Sequence, residues 1–468
     1  MSGFTPPYPK PMASRGRLLK LAMRPAKFLK SLRCSLSSLM DRSYSMHMGE
    51  VGLPHKKVYV ANQPDLVQRV LVDDIAHFPK SQVVADMFGT LVGDGLIVSN
   101  GETWKRQRRI MAPVFAQTRN KLVFDLMMAA VDAMMERFAA IAAGDGETEI
   151  DVEMTHVTAD VIYRTIFGEA LDAGDARRTF GAFQAFQEAA FAHGMARMVG
   201  LPSFLAGGGL GNAKGQAKII RDLLDPKVKA RYDDFHAGRQ HSGNDILGAL
   251  IAATDPADGS HFDLRELSEQ VAMLFLGGHE TSASTLAWNF FLIAKDQPVQ
   301  ERMYAEVKAA LGQRAPGYGD IRKLKFTRNV FSETLRLYPP IAFLPRDAAC
   351  PMQMRDKNIA KGAVVHVSPW LMQRHRRYWK APDEFDPDRF DRAESDESLR
   401  SCYFPFSKGP RVCIGASFAQ QEAILVLANL VRRYRFDCIP GVEPKPIGRL
   451  TVRSENGIRL KVTQRLTS

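Results

Sequence analysis

Between Val271 and Ala294 the chain is almost wholly apolar or small. Such a run is long enough to cross a bilayer, for which about 20 residues suffice. His279 and Glu280 sit near its middle, and either would be costly in hydrocarbon. A central helix of a large soluble fold, by contrast, can hold both beside a site. The run is therefore read as a buried helix, and 468 residues leave ample room for the core it needs. Hydrophobic residues make up 45% and charged residues 24%, which excludes disordered, collagen-like and disulfide-stapled chains.

Helical periodicity surrounds that run, over Leu122 to Ile141, Val157 to Phe167, Leu264 to Lys295, Pro298 to Leu311 and Ala416 to Tyr434. Short strand signals appear at Lys57 to Ala61, Ile341 to Ala349, Val364 to Val367 and Gly457 to Val462. The class is mainly α with small β-sheets. Residues 1–50 form a basic, proline-containing head that carries +7 of the formal net charge of +12, and 51–468 read as a single domain. From Arg17 to Leu32 the basic and apolar residues fall on separate helical stripes, a pattern that can lie on an anionic membrane surface. No apolar signal run precedes it, so the expected location is the cytoplasm, with peripheral membrane contact through the head. The charge also suits nucleic acid, but no recognised binding motif accompanies it, and nucleic acid is not expected as a partner.

The run Gly207 to Gly211 lacks the G-K-[ST] ending of a phosphate loop and reads as a mobile connection. His279-Glu280 has no second histidine three residues on, which excludes the zinc-protease helix. Five dispersed cysteines, Cys34, Cys350, Cys402, Cys413 and Cys438, form no C-x-x-C pair and argue against a disulfide framework or zinc ribbon. Cys413 differs from the rest. It follows a loop tightened by Gly409 and Pro410 and precedes a long apolar helix, whose N-terminal partial charge, with Arg411 nearby, stabilises a thiolate. Such a group can ligate a metal, act as a nucleophile, or simply pack.

The segment Phe406-Ser407-Lys408-Gly409-Pro410-Arg411-Val412-Cys413-Ile414-Gly415 matches F-x-x-G-x-R-x-C-x-G without departure. On this motif the chain resembles the cytochrome P450 family, in a soluble or peripheral, bacterial-type form. The resemblance implies haem b between the long central helix and a cysteine-bearing loop, with Cys413 as the axial thiolate and Phe406 and Arg411 against the cofactor. Glu333-Thr334-Leu335-Arg336 is similar to the family's E-x-x-R, and the segment Trp379 to Phe390 to its downstream partner. Together they imply a buried triad of Glu333, Arg336 and Arg389. Trp104 and Arg108, one helical turn apart, resemble the pair that contacts a haem propionate, and Arg346 resembles a strand arginine with the same task. Gly277-Gly278-His279-Glu280-Thr281 matches the helix turn over the oxygen-binding face, which implies proton relay through Thr281 and Glu280.

The implied activity is a haem-thiolate monooxygenase that inserts one atom of dioxygen into a C–H bond or double bond of a lipophilic small molecule. Electrons are expected from a separate ferredoxin or flavodoxin with its reductase, docking on a face that Arg106, Arg109, Arg432, Arg433 and Arg435 make basic. Met87, Phe88, Met273, Ile341 and Phe343 are expected in the pocket, and helices around Phe180 to Phe204 are expected to cover it as a lid. A non-catalytic haem carrier is the rival reading, one that needs no reductase.

Overall fold

The computed structural model describes residues 4–9, 34–53, 56–115, 123–200, 209–239, 245–312 and 314–466. The amphipathic stretch Arg17 to Leu32, along with Gly207 and Gly208, lies outside them. Fourteen α-helices occur among the described residues: α1 Pro64–Gln68, α2 Gln82–Val92, α3 Gly101–Met111, α4 Phe124–Ala143, α5 Ile150–Phe167, α6 Ala173–Met198 and α7 Gly209–His236, then α8 Ile246–Ala252, α9 Leu264–Lys295, α10 Gln297–Leu311, α11 Lys325–Leu337, α12 Pro369–Met372, α13 Asp396–Cys402 and α14 Ala416–Arg433. The helices pack around α9, which is the apolar run. Asp263 and Glu266 close its N-terminus in a reciprocal capping box, and Lys295 sits in its last turn, opposing the negative end of the helix dipole. No helix of the described residues is long and apolar enough to cross a membrane.

Eleven short strands make up the rest: β1 Met48–Gly52, β2 Lys57–Ala61, β3 Glu147–Glu149, β4 Leu344–Asp347, β5 Met352–Met354, β6 Lys357–Ile359, β7 Val364–Val367, β8 Tyr434–Cys438, β9 Pro446–Gly448, β10 Val452–Ser454 and β11 Arg459–Gln464. The largest sheet runs β1-β2-β7-β4, with β2 and β7 parallel and the other pairs antiparallel. The expected boundary at 50/51 falls inside β1. Upstream, Phe4 packs edge-on against Phe385 and Tyr8 against Tyr44, so described parts of the basic head are built into the body.

Two elements depart from the sequence reading. Gly209 and Gly211, expected in a mobile joint, open the long helix α7, which also contains Gly215 and Pro226. Helix propensity disfavours all of these, but Ile220, Leu224 and Val228 bury one face of α7 against the core, and packing outweighs propensity. Helix α5 begins at Ile150, seven residues before the expected Val157, because Ile150 and Met154 are core residues on its first turns.

Candidate active site

The cysteine loop is fixed by its own backbone. Cys413 N–H donates to the Phe406 carbonyl at 2.9 Å, closing the turn over residues 407–412. Ser407 and Gly409 both take positive φ there, at 68° and 72°. A Cβ at Gly409 would lie 2.4 Å from the Leu71 carbonyl oxygen, so only glycine fits. At Gly415, by contrast, a Cβ would meet nothing within 4 Å. The Cys413 thiol opens into a cavity of about 670 Å³. Burial pushes its pKa up, while the Gly415 amide and the charge of Arg108 act in the opposite direction.

Beneath the loop lies the triad. The Arg336 guanidinium donates to both Glu333 carboxylate oxygens, at 2.7 and 2.8 Å, and Arg389 Nε lies 3.4 Å from Oε1. Arg336 also donates to the carbonyls of Gln373, Pro382 and Glu384. The Gln373 side chain then accepts from Phe404 N–H at 3.1 Å, two residues before Phe406. All three members are at most 3% exposed, so breaking one strands a buried charge.

On one side of the cavity Arg108, Arg346 and Arg411 converge, and none of them forms an ion pair among the described residues. Arg108, Arg346, Arg411 and Trp104 all line it, as sequence suggested. Arg346 Nε and Arg411 Nε and Nη1 are buried and unpartnered. Burial lowers the pKa of Arg411 and Arg108, and burial with Arg411 beside it brings Arg346 down to about 10. Arg411 lies over the Trp104 ring at 5.0 Å. Lys80 is a further member that sequence reasoning missed. It forms a β-bridge with Arg346 and donates to the Leu96 and Ser99 carbonyls. Burial, then Arg411, Arg346 and Arg108, lower its pKa to about 6. No local pattern marks Lys80, since only the chain's return as β4 brings it there.

Helix α9 forms the opposite wall. Thr281 Oγ1 donates to the Gly277 carbonyl at 2.7 Å, and both residues line the cavity. A Cβ at Gly277 would enter open space, whereas one at Gly278 would meet Ile162 of α5 at 2.7 Å. The paired glycines thus do different work: one clears the cavity, the other lets α5 approach. Glu280 turns elsewhere. Its oxygens accept from Arg453 Nε and Nη2 and Thr451 Oγ1, each at 2.6 Å, and it does not line the cavity. Burial works to raise its pKa, but Arg453, with His279 and Thr451, holds it below the ordinary value. Beside Ser282, the residue after Thr281, lies a second carboxyl that sequence did not suggest, Glu422 of α14. Burial pushes it up to about 8, with the Ser282 hydroxyl the one group that favours its charge.

The unpartnered cations suit the carboxylates of a haem, the thiol suits its iron, and the clearances at Gly277 and Gly415 suit its two faces; the residues present fit the group. Met87, Phe88, Met273, Ile341 and Phe343 line the cavity as expected, and α6 adds Phe191 and Met195 to its lining; the end of the expected lid, residues 201–204, lies outside the described residues. The expected basic docking face is largely neutralised. Arg106 pairs with Glu266 at 2.7 Å, Arg109 with Asp255 at 2.6 Å and Arg435 with Asp437 at 3.3 Å, partners too distant or too local for charge counting to expose.

Comparison with known proteins agrees with this geometry. The family model described as cytochrome P450 matches residues 6–462, and the chain belongs to that family. It is 30% identical over 433 residues to cyclooctatin synthase of Streptomyces melanosporofaciens, covering 92% of this chain and 90% of that protein. Pentalenene oxygenase of Streptomyces avermitilis is 28% identical over 458 residues, with 96% and 95% covered. The crystal structure of the cytochrome P450DA haem domain superposes with a TM-score of 0.80 at 24% identity, covering 100% of this chain and 99% of that one. The protein is thus a haem-thiolate monooxygenase.

Proposed function

We propose that Cys413 is the thiolate ligand and that Arg108, Arg346, Arg411, Lys80 and Trp104 hold the haem carboxylates, with Phe406 packed against the ring. The convergence of that thiol and the unpartnered guanidinium nitrogens of Arg346 and Arg411 on one cavity carries the reading. When bound, the haem activates dioxygen with electrons from outside and delivers one oxygen atom to the substrate. Thr281 Oγ1 passes protons into the cavity. Glu280, ionised while Arg453 holds it, takes a proton from water on parting from that arginine and passes it on to Thr281, and the neutral Glu422 carboxyl is a reserve donor one residue from Thr281, through Ser282.

The substrate is a lipophilic molecule of terpenoid size, a reading supported by the apolar, methionine-bearing cavity and by the names of the two Streptomyces relatives. Electrons come from a separate ferredoxin or flavodoxin with its reductase, since the dispersed cysteines suit no iron–sulfur cluster in this chain. We place the enzyme in the cytoplasm, where its five free cysteines stay reduced, with the basic head touching an anionic membrane. The test is turnover with ferredoxin, reductase and NADPH across a library of sesquiterpenes and diterpenes. A product one oxygen atom heavier, formed in step with NADPH consumption, is expected. Turnover of charged, hydrophilic molecules alone would contradict the substrate class, and NADPH-independent haem binding with no product would favour the carrier.

A further inference from the structure

The four-stranded sheet turns one face to the cavity. In register across it lie Gly49 of β1, Val60 of β2, His366 of β7 and Pro345 of β4, and all four line the cavity. Tyr59 and Val365, in the adjacent row, are buried in a separate core on the other side. His366 is the one side chain of its row able to make a hydrogen bond. Its Nδ1 is enclosed without a partner, while the side chain as a whole is only half-buried and so keeps surface toward the cavity. Phe343 meets the ring edge-on at 5.6 Å.

A histidine is a poor choice for such a wall. The flanking strand residues are valines, and an imidazole whose Nδ1 is enclosed without a partner costs stability that valine would not. Nor does it belong to the cation cluster: Lys56 is the charge that acts on its ring, and none of Arg108, Arg346 and Arg411 does. Burial, helped by the charge of Lys56, lowers the imidazole pKa to about 4, so the ring is neutral at physiological pH. A neutral imidazole donates at one nitrogen and accepts at the other, which matches a hydroxyl and does not match a carboxylate.

We propose that His366 anchors the substrate by hydrogen bonding a hydroxyl group on an otherwise apolar molecule, so that the enzyme takes a lipophilic alcohol in preference to the parent hydrocarbon. The proposal rests on the lipophilic-substrate reading and sharpens it. It also sets a place in a reaction sequence: a hydroxylation, or a cyclisation quenched by water, must precede this enzyme.

Cedrol and cedrene, a sesquiterpene alcohol and hydrocarbon of one skeleton, serve as probes, with dodecanol and dodecanoate as a second pair. Each is titrated into the haem-loaded enzyme by the spectral change on loss of iron-bound water, for wild type, His366→Phe and His366→Gln. Wild type should bind cedrol roughly three- to tenfold more tightly than cedrene, the worth of one neutral hydrogen bond. His366→Phe should remove the preference and His366→Gln retain part of it, with the ratio constant from pH 6 to 8. Equal or undetectable binding of both sesquiterpenes by wild type, an unchanged ratio in His366→Phe, or tighter binding of dodecanoate than dodecanol would each overturn the proposal. The thiolate Soret band of the same samples reports the parent reading separately: its loss in wild type sinks that reading, while its presence without discrimination sinks only the anchor.

Discussion

Two carboxyl groups stand near Thr281 in opposite protonation states, and environment alone separates them. Glu280 is ionised because Arg453 and Thr451 meet its oxygens, whereas Glu422 has no such partner and stays protonated up to about 8. Because the folded pKa of Glu422 lies above its unfolded value, the folded state binds the extra proton between roughly pH 4.5 and 8, and stability falls as pH rises through that window. Glu422→Gln should flatten this slope, removing a loss on the order of a few kcal/mol, as urea unfolding at several pH values would show. Unchanged slopes would mean the carboxyl is not buried as described. Thr281→Ala should leave haem binding intact while diverting electrons into free peroxide. The ratio of NADPH consumed to product formed measures this, and a constant ratio would remove Thr281 from proton transfer. The placing of Cys413, Arg108 and Thr281 along the cavity was legible because motifs fix their spacing, and that of Arg346 from its likeness to a strand arginine. Lys80, Glu422 and Arg453 were not, since each acquires its role from a contact far away in the chain.

At the scale of elements, the glycines distinguish fold from cofactor. Gly409→Ala forces an L side chain into φ 72° against the Leu71 carbonyl, a clash between backbones that nothing flexible can relieve. A cost of about 2 kcal/mol or more is expected, read as a lower melting temperature even without haem. Gly415→Ala meets no protein atom within 4 Å, so the haem-free protein should melt unchanged while haem incorporation falls. The reverse pattern would mean the cavity beside Gly415 is not the cofactor's. Helix α9 could be drawn from sequence to its last residue, since an unbroken apolar run ends at clear caps. Helix α7 could not: glycines and a proline signal a break, and only the core that buries its apolar face makes it continuous.

For the molecule as a whole, net charge proved a weak guide. Most of the arginines suspected of forming a docking face are paired within the fold, so counting them overstates the positive charge that face presents. The mouth of the cavity shows the same economy of contacts. Arg449, which lines it, pairs with Glu188 of α6 at 2.5 Å and ties the loop between β9 and β10 to that helix. Everything described converges on one thiol facing one set of unpaired cations. The direct measurement is the Soret spectrum of the reduced, haem-loaded protein under carbon monoxide, for wild type and Cys413→Ala. Wild type should show the red-shifted band of thiolate ligation and the variant should lose it while keeping its fold; a red-shifted band that survives in Cys413→Ala would contradict the site.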